Sequence, residues 1–367
     1  DFLAPRTPTE EALAGAWSEL LGLDKVGVRE NFFDLGGDSI LAIQLLARIR
    51  ALGFSVSTKD LFKYQDIASL AEALDAGQAE NKHGSSLLDE VGEVDFNAVQ
   101  QWFVETHPEQ PEIYDMSQLW RLKSSVDLPA LMKALGHVID HHGSLRGKLI
   151  NGGLKIASSR SADQLGLIQV ASEQEAEQAI EGALNQAQTE DRLSGAPLFV
   201  ARIVSAPEDS YLLLIAHHMI VDAVSWQIIA EDLGTAYQTV LDSGEVVLPP
   251  TTTNLRSWSE TLLSSVSNGE FNKELDSWAE LLQDRPLFQL PCDSSEHPNT
   301  VNLQRTYTAT LPPETTEVLI KRGQGTFRAK IDEILLAALG SALSSWTGSP
   351  ELIIEKEGHG RTDIGSA

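Results

Sequence analysis

Apolar residues follow two different rhythms along this chain, and the change of rhythm divides it. Within residues 1–77 they recur every three or four positions, as at Leu13, Trp17 and Leu20, which predicts amphipathic helices. Another helix is predicted to begin at Ser39, and two short ones follow it. The first part of the chain is therefore predicted to be an all-α bundle of four helices.

From about residue 93 the pattern mixes strand and helix. Residues 211–216, YLLLIA, form an uninterrupted apolar run that predicts a buried strand, and residues 227–241 predict an amphipathic helix after it. Residues 331–339 predict a helix packed in a core. Between the two patterns, residues 78–92 are polar and contain glycine and serine, which is typical of a linker.

Composition and charge exclude several classes of function. A length of 367 residues predicts two or three domains. The formal net charge of −26 opposes binding to nucleic acid and to anionic membranes, so neither is predicted as a partner. We find no apolar run of about 18 residues and no signal peptide. A single cysteine, Cys292, excludes an internal disulfide and, with those absences, predicts a cytoplasmic protein.

The strongest candidate for chemistry is the segment 217–226, HHMIVDAVSW. His217 and His218 lie where the buried strand ends and a loop begins, a position that suits catalytic groups. A neutral imidazole near physiological pH can accept and return a proton. Two alternatives stay open: a pair of core histidines, or a metal site with Asp222. No strongly matching further cluster or cysteine ligand accompanies these residues, so no metal is predicted.

This segment resembles the His-His-x-x-x-Asp segment of the condensation-domain superfamily of nonribosomal peptide synthetases. Its ending, Ser225-Trp226, resembles the epimerization domains within that superfamily. Residues 99–103, VQQWF, resemble the opening motif of epimerization domains, although Ala98 stands where that family usually has proline.

A second segment resembles the same branch. Residues 355–361, EKEGHGR, follow a predicted strand at 352–354 and resemble the Glu-Gly-His-Gly-Arg motif of epimerization domains, which condensation domains generally lack. The resemblance implies that Glu357 is a catalytic group, supported by Gly358, His359 and Arg361.

The helical first part also resembles a family. Residues 32–40, FFDLGGDSI, resemble the thiolation, or peptidyl carrier, domain of the same synthetases, and the resemblance extends over residues 7–75. It implies that Ser39 is esterified by 4′-phosphopantetheine. The amide groups at a helix N-terminus favour such a phosphodiester. Asp38, directly before the serine, is typical of carriers that serve epimerization domains.

The two resemblances together imply a multidomain fold. Residues 1–77 are expected to be the carrier, an all-α four-helix bundle, and residues 78–92 its linker. The remainder is expected to be an α/β domain of the two-lobed, chloramphenicol-acetyltransferase-like fold of the condensation superfamily. Its first lobe is expected at 93–267 and its second, incomplete lobe at 268–367.

The resemblances also imply a reaction. Ser39 is expected to present an L-aminoacyl or peptidyl thioester, whose α-carbon is epimerized from L to D. One of His218 and Glu357 removes the α-proton, and the other returns a proton to the opposite face of the planar enolate. His217 is expected to shape the loop. Asp222 is expected to form an orienting, buried ion pair, for which Arg146 is the favoured partner.

Partners follow from the same resemblance. They are an upstream adenylation domain, a downstream condensation domain, a phosphopantetheinyl transferase, the chain's own carrier docking on the epimerization domain, and a separate chain if one supplies the rest of the second lobe. Two rival functions remain. One is a condensation domain that forms peptide bonds between carrier-bound substrates, and the other is a degenerate domain that only docks a carrier.

Overall fold

The computed structural model describes most of the chain, in two compact units. The first unit holds the described parts of residues 1–30 and 39–272, and the second holds those of 31–38 and 273–358. The described residues are 2–33, 35–37, 39–54, 56, 58–76, 90–107, 114–189, 195–248, 251, 253–283, 290–292, 303–319, 323, 327, 329, 331–356 and 358.

Four helices form the helical part of the first unit: α1 (Pro8–Leu21), α2 (Ser39–Ala51), α3 (Thr58–Lys63) and α4 (Ile67–Asp75). Helix α1 begins at a threonine cap, because the Thr7 hydroxyl accepts a 3.1 Å hydrogen bond from the amide of Glu10. Of the predicted stripe, Leu13 and Trp17 are fully buried and Leu20 is half-buried. The predicted four-helix bundle is confirmed.

Among its described residues, the rest of the first unit contains seven strands and five complete α-helices. The strands are β1 (Gly92–Asp95), β2 (Asp115–Leu122), β3 (Gly147–Ile150), β4 (Gly153–Ile156), β5 (Leu165–Gln169), β6 (Phe199–Ser205) and β7 (Ser210–His217). The helices are α5 (Ala98–Thr106), α6 (Leu128–His141), α7 (Glu173–Thr189), α8 (Ala223–Ser243) and α9 (Leu255–Ser267).

The strands form two sheets. Strands β1, β4 and β3 make an antiparallel sheet of three. The second sheet has the order β2-β7-β6-β5 and is antiparallel except between β5 and β6. The predicted strand at 211–216 is thus the inner strand β7.

Strand β7 is apolar from Leu212 to Ala216 because helices cover both faces of its sheet. Leu212 and Leu214 belong to the core that contains residues of α6 and α8, whereas Leu213 and Ile215 pack with residues of α7. Side chains alternate between the two faces of a strand, so a strand covered on both faces needs an unbroken apolar run. The strand therefore ends at the histidines with its backbone held inside a packed layer.

Two boundaries differ from those predicted. Helix α8 begins at Ala223 rather than at residue 227, because Asp222 caps it four residues earlier. The end of the predicted linker at 78–92 is folded, since Glu90 is buried and β1 begins at Gly92.

The second unit contains most of α10 (Asn272–Leu282), together with α11 (Pro313–Val318) and α12 (Ile331–Thr347). Helix α12 contains the predicted helix at 331–339, but its predicted burial is wrong. None of its residues is buried, and Leu335 is 52% exposed. Residues 352–354, predicted as a strand, pair with no strand among the described residues. Within the part of the chain that the structure describes, no helix is both long and apolar enough to cross a membrane.

Candidate active site

His217 closes strand β7 and is completely buried. Its backbone amide donates a 2.8 Å hydrogen bond to the carbonyl of Leu198, and its ring nitrogen Nδ1 accepts a 3.1 Å hydrogen bond from the amide of Met219. The ring also meets the ring of Phe103 edge-on, with centroids 5.9 Å apart. These contacts fix the first turn of the segment 217–222, which we call the histidine loop.

His218 points its two ring nitrogens to different surroundings. Nδ1 lies 2.9 Å from the carbonyl oxygen of Val221. A carbonyl can only accept, so Nδ1 carries the hydrogen, and the neutral ring then has its lone pair on Nε2. Within the described residues, Nε2 makes no hydrogen bond. The ring stacks on Tyr114, with centroids 5.4 Å apart and planes at 16°. The half-buried His218 is thus held in one orientation with a proton acceptor available.

Helix α5 contacts and supports the histidine loop, and the sequence did not predict this contact. The side-chain amide of Gln100 donates a 2.8 Å hydrogen bond to the carbonyl of Met219. Gln100 is itself fixed by a reciprocal capping box with Asn97, in which both hydrogen bonds are 3.0 Å long. Residues 99–103 resemble the opening motif of epimerization domains, and the fold shows that Gln100 of this motif is hydrogen-bonded to the histidine loop.

Asp222 ends the histidine loop and caps helix α8. Its Oδ1 accepts hydrogen bonds of 2.7 Å from both the amide and the hydroxyl of Ser225, and that hydroxyl accepts one from the Asp222 amide. Trp226 follows in the first turn and is 6% exposed. The segment interpreted from sequence as a catalytic motif is therefore also the start signal of α8.

The predicted ion pair between Arg146 and Asp222 is wrong. The guanidinium of Arg146 lies 4.0 Å from the carboxylate of Glu90. Its Nε donates to the carbonyl of Ala157 at 2.8 Å, and another nitrogen donates to the carbonyls of Ile139 and Asp140. Helix α6 ends at His141, so its last carbonyls lack partners within the helix. Arg146 satisfies two of them instead of reaching the histidine loop.

Burial shifts the pKa values of both Glu90 and Arg146. Burial raises the pKa of the Glu90 carboxyl, and this exceeds the opposing effects of the Gly143 amide, of Arg146 and of His142. Burial also lowers the pKa of Arg146, against the attraction of Glu90. A side chain at Gly143 would collide with the Glu90 carboxylate, so a glycine is needed there. His142 in turn contacts Asp232 of α8 at 2.7 Å.

Helix α2 of the carrier lies along helix α8. The side-chain amides of Gln44 and Gln227 are hydrogen-bonded, and Arg48 lies 3.8 Å from Glu231. Both pairs are separated by four residues on each helix, so the two helices run side by side in the same direction. Five residues before Gln44 is Ser39, and five before Gln227 is Asp222. The N-terminus of α2 is therefore at the same end as the histidine loop.

The position of Ser39 fits a phosphopantetheine group. Ser39 is the first residue of α2, which is 13 residues long. The first amides of a helix have no partner within it, and together with the helix dipole they favour an anionic phosphodiester. Asp38, predicted to assist, lies outside the described residues.

The second predicted catalytic element falls largely outside the described residues. Only Gly358 of its supporting set is described, and it is exposed. Glu357, His359 and Arg361 are not among the described residues. The predicted approach of Glu357 to His218 across a tunnel therefore stays a prediction.

Comparison with protein families gives two matches. The family described as "Condensation domain" matches residues 91–366, and the one described as "Phosphopantetheine attachment site" matches residues 11–74. These matches agree with the predicted order of a carrier followed by a condensation-superfamily α/β domain, and confirm that fold class.

Curated relatives match over almost the whole chain. Surfactin synthase subunit 1 of Bacillus subtilis is 32% identical over 99% of this chain, which spans 10% of that protein. Tyrocidine synthase 1 of Brevibacillus parabrevis is 30% identical over 98% of this chain, which spans 33% of it. The chain thus spans a third or less of the length of these relatives.

Solved structures with a similar fold cover most of the chain. The epimerization domain from the third module of tyrocidine synthetase B matches with a TM-score of 0.64 and 22% identity, over 73% of this chain and 62% of that one. The condensation domain of the Monacolin K polyketide synthase MokA matches with a TM-score of 0.55 and 17% identity, over 70% and 60% of the two chains. At these identities the likeness concerns the fold.

Proposed function

Because this chain belongs to the condensation-domain family and has a phosphopantetheine attachment domain in front of that domain, we propose that it epimerizes an acyl group held on its own carrier. The acyl group is an L-aminoacyl or peptidyl thioester, and the product has the D configuration at the α-carbon. When bound to Ser39, phosphopantetheine supplies the thioester link, which acidifies the α-proton.

The observation that carries the proposal is the orientation of His218. Its Nδ1–H is held by the carbonyl of Val221, so Nε2 is ready to take a proton. Tyr114, stacked on the ring, keeps Nε2 in place. General acid–base catalysis of this kind contributes about 10²–10⁴-fold. Stabilisation of the negative charge on the thioester oxygen has to supply much of the remaining acceleration.

The carrier contacts support delivery of the acyl group to this histidine. The parallel register of α2 and α8 puts the attachment residue at the end of α8 that carries the histidine loop. In this proposal the arm approaches His218 from that end of α8 rather than from the far end of its 21 residues.

Sequence favours epimerization over condensation. The Ser225-Trp226 ending, Asp38 and the segment 355–361 are all typical of epimerization domains or of their carriers. In this mechanism Glu357 is the second acid–base group, and it acts on the face of the α-carbon opposite to His218. The reaction removes one proton and returns one, so it needs no oxidant and no metal.

The partners proposed from sequence fit this activity. An adenylation domain upstream would load the carrier, a condensation domain downstream would take the D-configured product, and a phosphopantetheinyl transferase would modify Ser39. The curated relatives, surfactin synthase and tyrocidine synthase, are themselves synthases much longer than this chain, which leaves room for such neighbouring domains.

The carrier assignment is tested by mass. Treatment with a phosphopantetheinyl transferase and coenzyme A is expected to add one phosphopantetheine to the wild type and none to Ser39→Ala. An increase that survives in Ser39→Ala would show that another residue is modified.

The reaction is tested by following deuterium incorporation and the D/L ratio separately in loaded holo-protein in heavy water. Exchange with inversion and without peptide bond formation is expected. His218→Ala is expected to reduce both by about 10²–10⁴-fold, whereas Glu357→Gln should block inversion and keep part of the exchange. His137→Ala, an exposed histidine of α6, is the control.

Three other outcomes contradict the proposal. Peptide bond formation with a second loaded carrier, without exchange, would assign the domain to condensation. Neither exchange nor bond formation would leave a domain that only docks a carrier. Wild-type inversion in both His218→Ala and Glu357→Gln would remove the two-group mechanism.

A further inference from the structure

An open cavity of ≈ 360 Å³ lies between strand β2 and helix α8. Its strand wall is formed by Met116, Gln118 and Trp120, which alternate along β2 and so share one face of the strand. Its helix wall includes Ala223, Trp226 and Ala230, which lie on one face of α8 at spacings of three and four. Both walls belong to the first unit.

The two walls start at the histidine loop. Tyr114, which stacks on His218, lies directly before β2 and two residues before Met116. On the other side, Ala223 directly follows the cap residue Asp222. Each wall thus begins within two residues of a residue that forms or contacts the histidine loop.

We propose that this cavity receives the side chain of the carried acyl group and selects one that is large and apolar, aromatic or long aliphatic. The inference rests on the proposed function, since it takes the α-carbon to lie at His218. It concerns which substrate is accepted, which the motifs do not address.

The chemistry of the lining supports an apolar occupant. Among the described residues, no charged one lines the cavity; two tryptophans, a methionine and two alanines dominate it, with only the amides of Gln118 and Gln227. A carboxylate or ammonium group placed there would lose water without gaining a partner of opposite charge. An apolar side chain instead gains about 25 cal/mol for each Å² that it buries.

The size supports one side chain rather than a peptide. Ligand pockets in proteins usually measure about 300–1,000 Å³, so this cavity is at the small end. The small side chains of Ala223 and Ala230 keep it open on the helix side. An occupant such as an alanyl methyl group would leave most of the cavity lining without contacts, at a loss of binding.

Gln227 connects the cavity to the carrier. It lines the cavity and is also hydrogen-bonded to Gln44 of α2. Docking of the carrier and filling of the cavity therefore occur on adjoining faces of the first two turns of α8. An acyl group delivered along that face enters between α8 and β2 without crossing either element.

The test compares substrates on the same holo-protein. The carrier is loaded in turn with L-phenylalanyl, L-leucyl, L-alanyl and L-aspartyl groups, and α-proton exchange is timed in single turnovers. We expect exchange of the first two to exceed that of the last two by about 10–200-fold, the range typical of an apolar pocket. Ala230→Leu, which fills the cavity, is expected to lower the ratio of phenylalanyl to alanyl rates. Thr235→Leu, an exposed change further along α8, should leave that ratio as in the wild type.

A second measurement does not need activity. Stable amide analogues of phenylalanyl-pantetheine and alanyl-pantetheine, with nitrogen in place of the thioester sulfur, are added to the wild type while the indole N–H signals of Trp120 and Trp226 are followed by NMR. Only the phenylalanyl analogue is expected to shift them, and Ala230→Leu should abolish the shift. Equal rates for all four acyl groups, or indole signals that ignore both analogues, would overturn the cavity assignment. Shifted indole signals without exchange of any acyl group would overturn the proposed function and leave the cavity assignment in place.

Discussion

The carboxylate of Glu90 is buried beside Arg146, and the Gly143 amide, Arg146 and His142 compensate only in part for the loss of water. The 4.0 Å separation is too long for a hydrogen bond. The pKa of Glu90 is raised and that of Arg146 is lowered, in both cases mainly through burial. Desolvation of a buried pair can exceed the attraction between its members, and the two shifts agree on that sign here. The pair is thus a pH-dependent element next to α6.

We expect Glu90→Gln to remove a pH dependence from stability. A carboxyl whose pKa is raised by folding favours the folded state fully below its unfolded pKa, near 4.5, and this contribution is lost as the pH rises through the folded pKa. The free energy of unfolding of the wild type should therefore fall relative to that of Glu90→Gln from about pH 4.5 upwards, and then level off. Denaturant titrations at several pH values measure this difference.

The matched control for Glu90 is Glu93→Gln, an exposed glutamate on β1. A difference between wild type and Glu90→Gln that stays flat with pH would show that Glu90 titrates as it does in the unfolded chain. A slope of the opposite sign would show that the attraction of Arg146 exceeds desolvation.

Individual residues were predictable from sequence where local structure determines their position. His217 and His218 follow an apolar run that had to be a buried strand, so their location at its end followed. The partner of Arg146 could not be predicted, because it depends on which acidic side chain the fold brings close to the guanidinium. Glu90 supplies that charge from a stretch whose composition is typical of a linker, and the last carbonyls of α6 complete the set.

Helix α8 combines three features, and the sequence alone does not show that they belong to the same helix. Its cap, Asp222, ends the histidine loop; its first turns line the cavity; and its outer face contacts the carrier. Asp222 is half-buried and bonded within its own capping box. The cost of losing it therefore includes at least that of a helix cap.

We expect Asp222→Ala to lower the free energy of unfolding by at least the roughly 0.5–2 kcal/mol of a lost N-cap. Asp222→Asn, which can also cap, should retain most of the stability. Thermal and denaturant unfolding of the three proteins make the comparison. A loss above about 3 kcal/mol would point to a buried charge partner after all.

At the level of elements, the sequence predicted which helices and strands exist better than it predicted their boundaries or their burial. The unbroken apolar run of β7 left little choice, because it is covered on both faces. The start of α8 was misplaced by four residues because the capping residue was interpreted as part of a catalytic motif. Helix α12 was predicted to be core from its apolar content, yet burial depends on what packs against it, and its described residues have no such cover.

At the scale of the whole molecule, the carrier contact involves a cation in a chain that has 27 basic and 53 acidic side chains. The net charge is −26, and Arg48 lies 3.8 Å from both Glu19 of its own bundle and Glu231 of α8. Solvent-exposed ion pairs contribute only about 0.2–1 kcal/mol each. Such a contact suits a carrier that has to leave for other domains after each reaction.

We expect Arg48→Glu to slow α-proton exchange of the loaded holo-protein about threefold to tenfold at low salt, since it places like charges together at α8. The double variant with Glu231→Arg should recover part of the rate because the pair is restored with its charges reversed. The effect should shrink as salt rises. Arg29→Glu, an exposed change elsewhere in the bundle, is the control. No recovery in the double variant would mean that Arg48 acts through Glu19.

The parallel register of α2 and α8 also has a consequence for exchanging domains between synthetases. Contacts with α8 fall five and nine residues after the serine that bears the arm, at Gln44 and Arg48. A foreign carrier grafted ahead of this domain would have to offer an amide-like and a basic side chain at those two offsets. A graft with the same residues shifted by one turn would seat its serine about 6 Å away along α8. Donor carriers for such chimaeras can therefore be ranked by inspecting two positions before any of them is expressed.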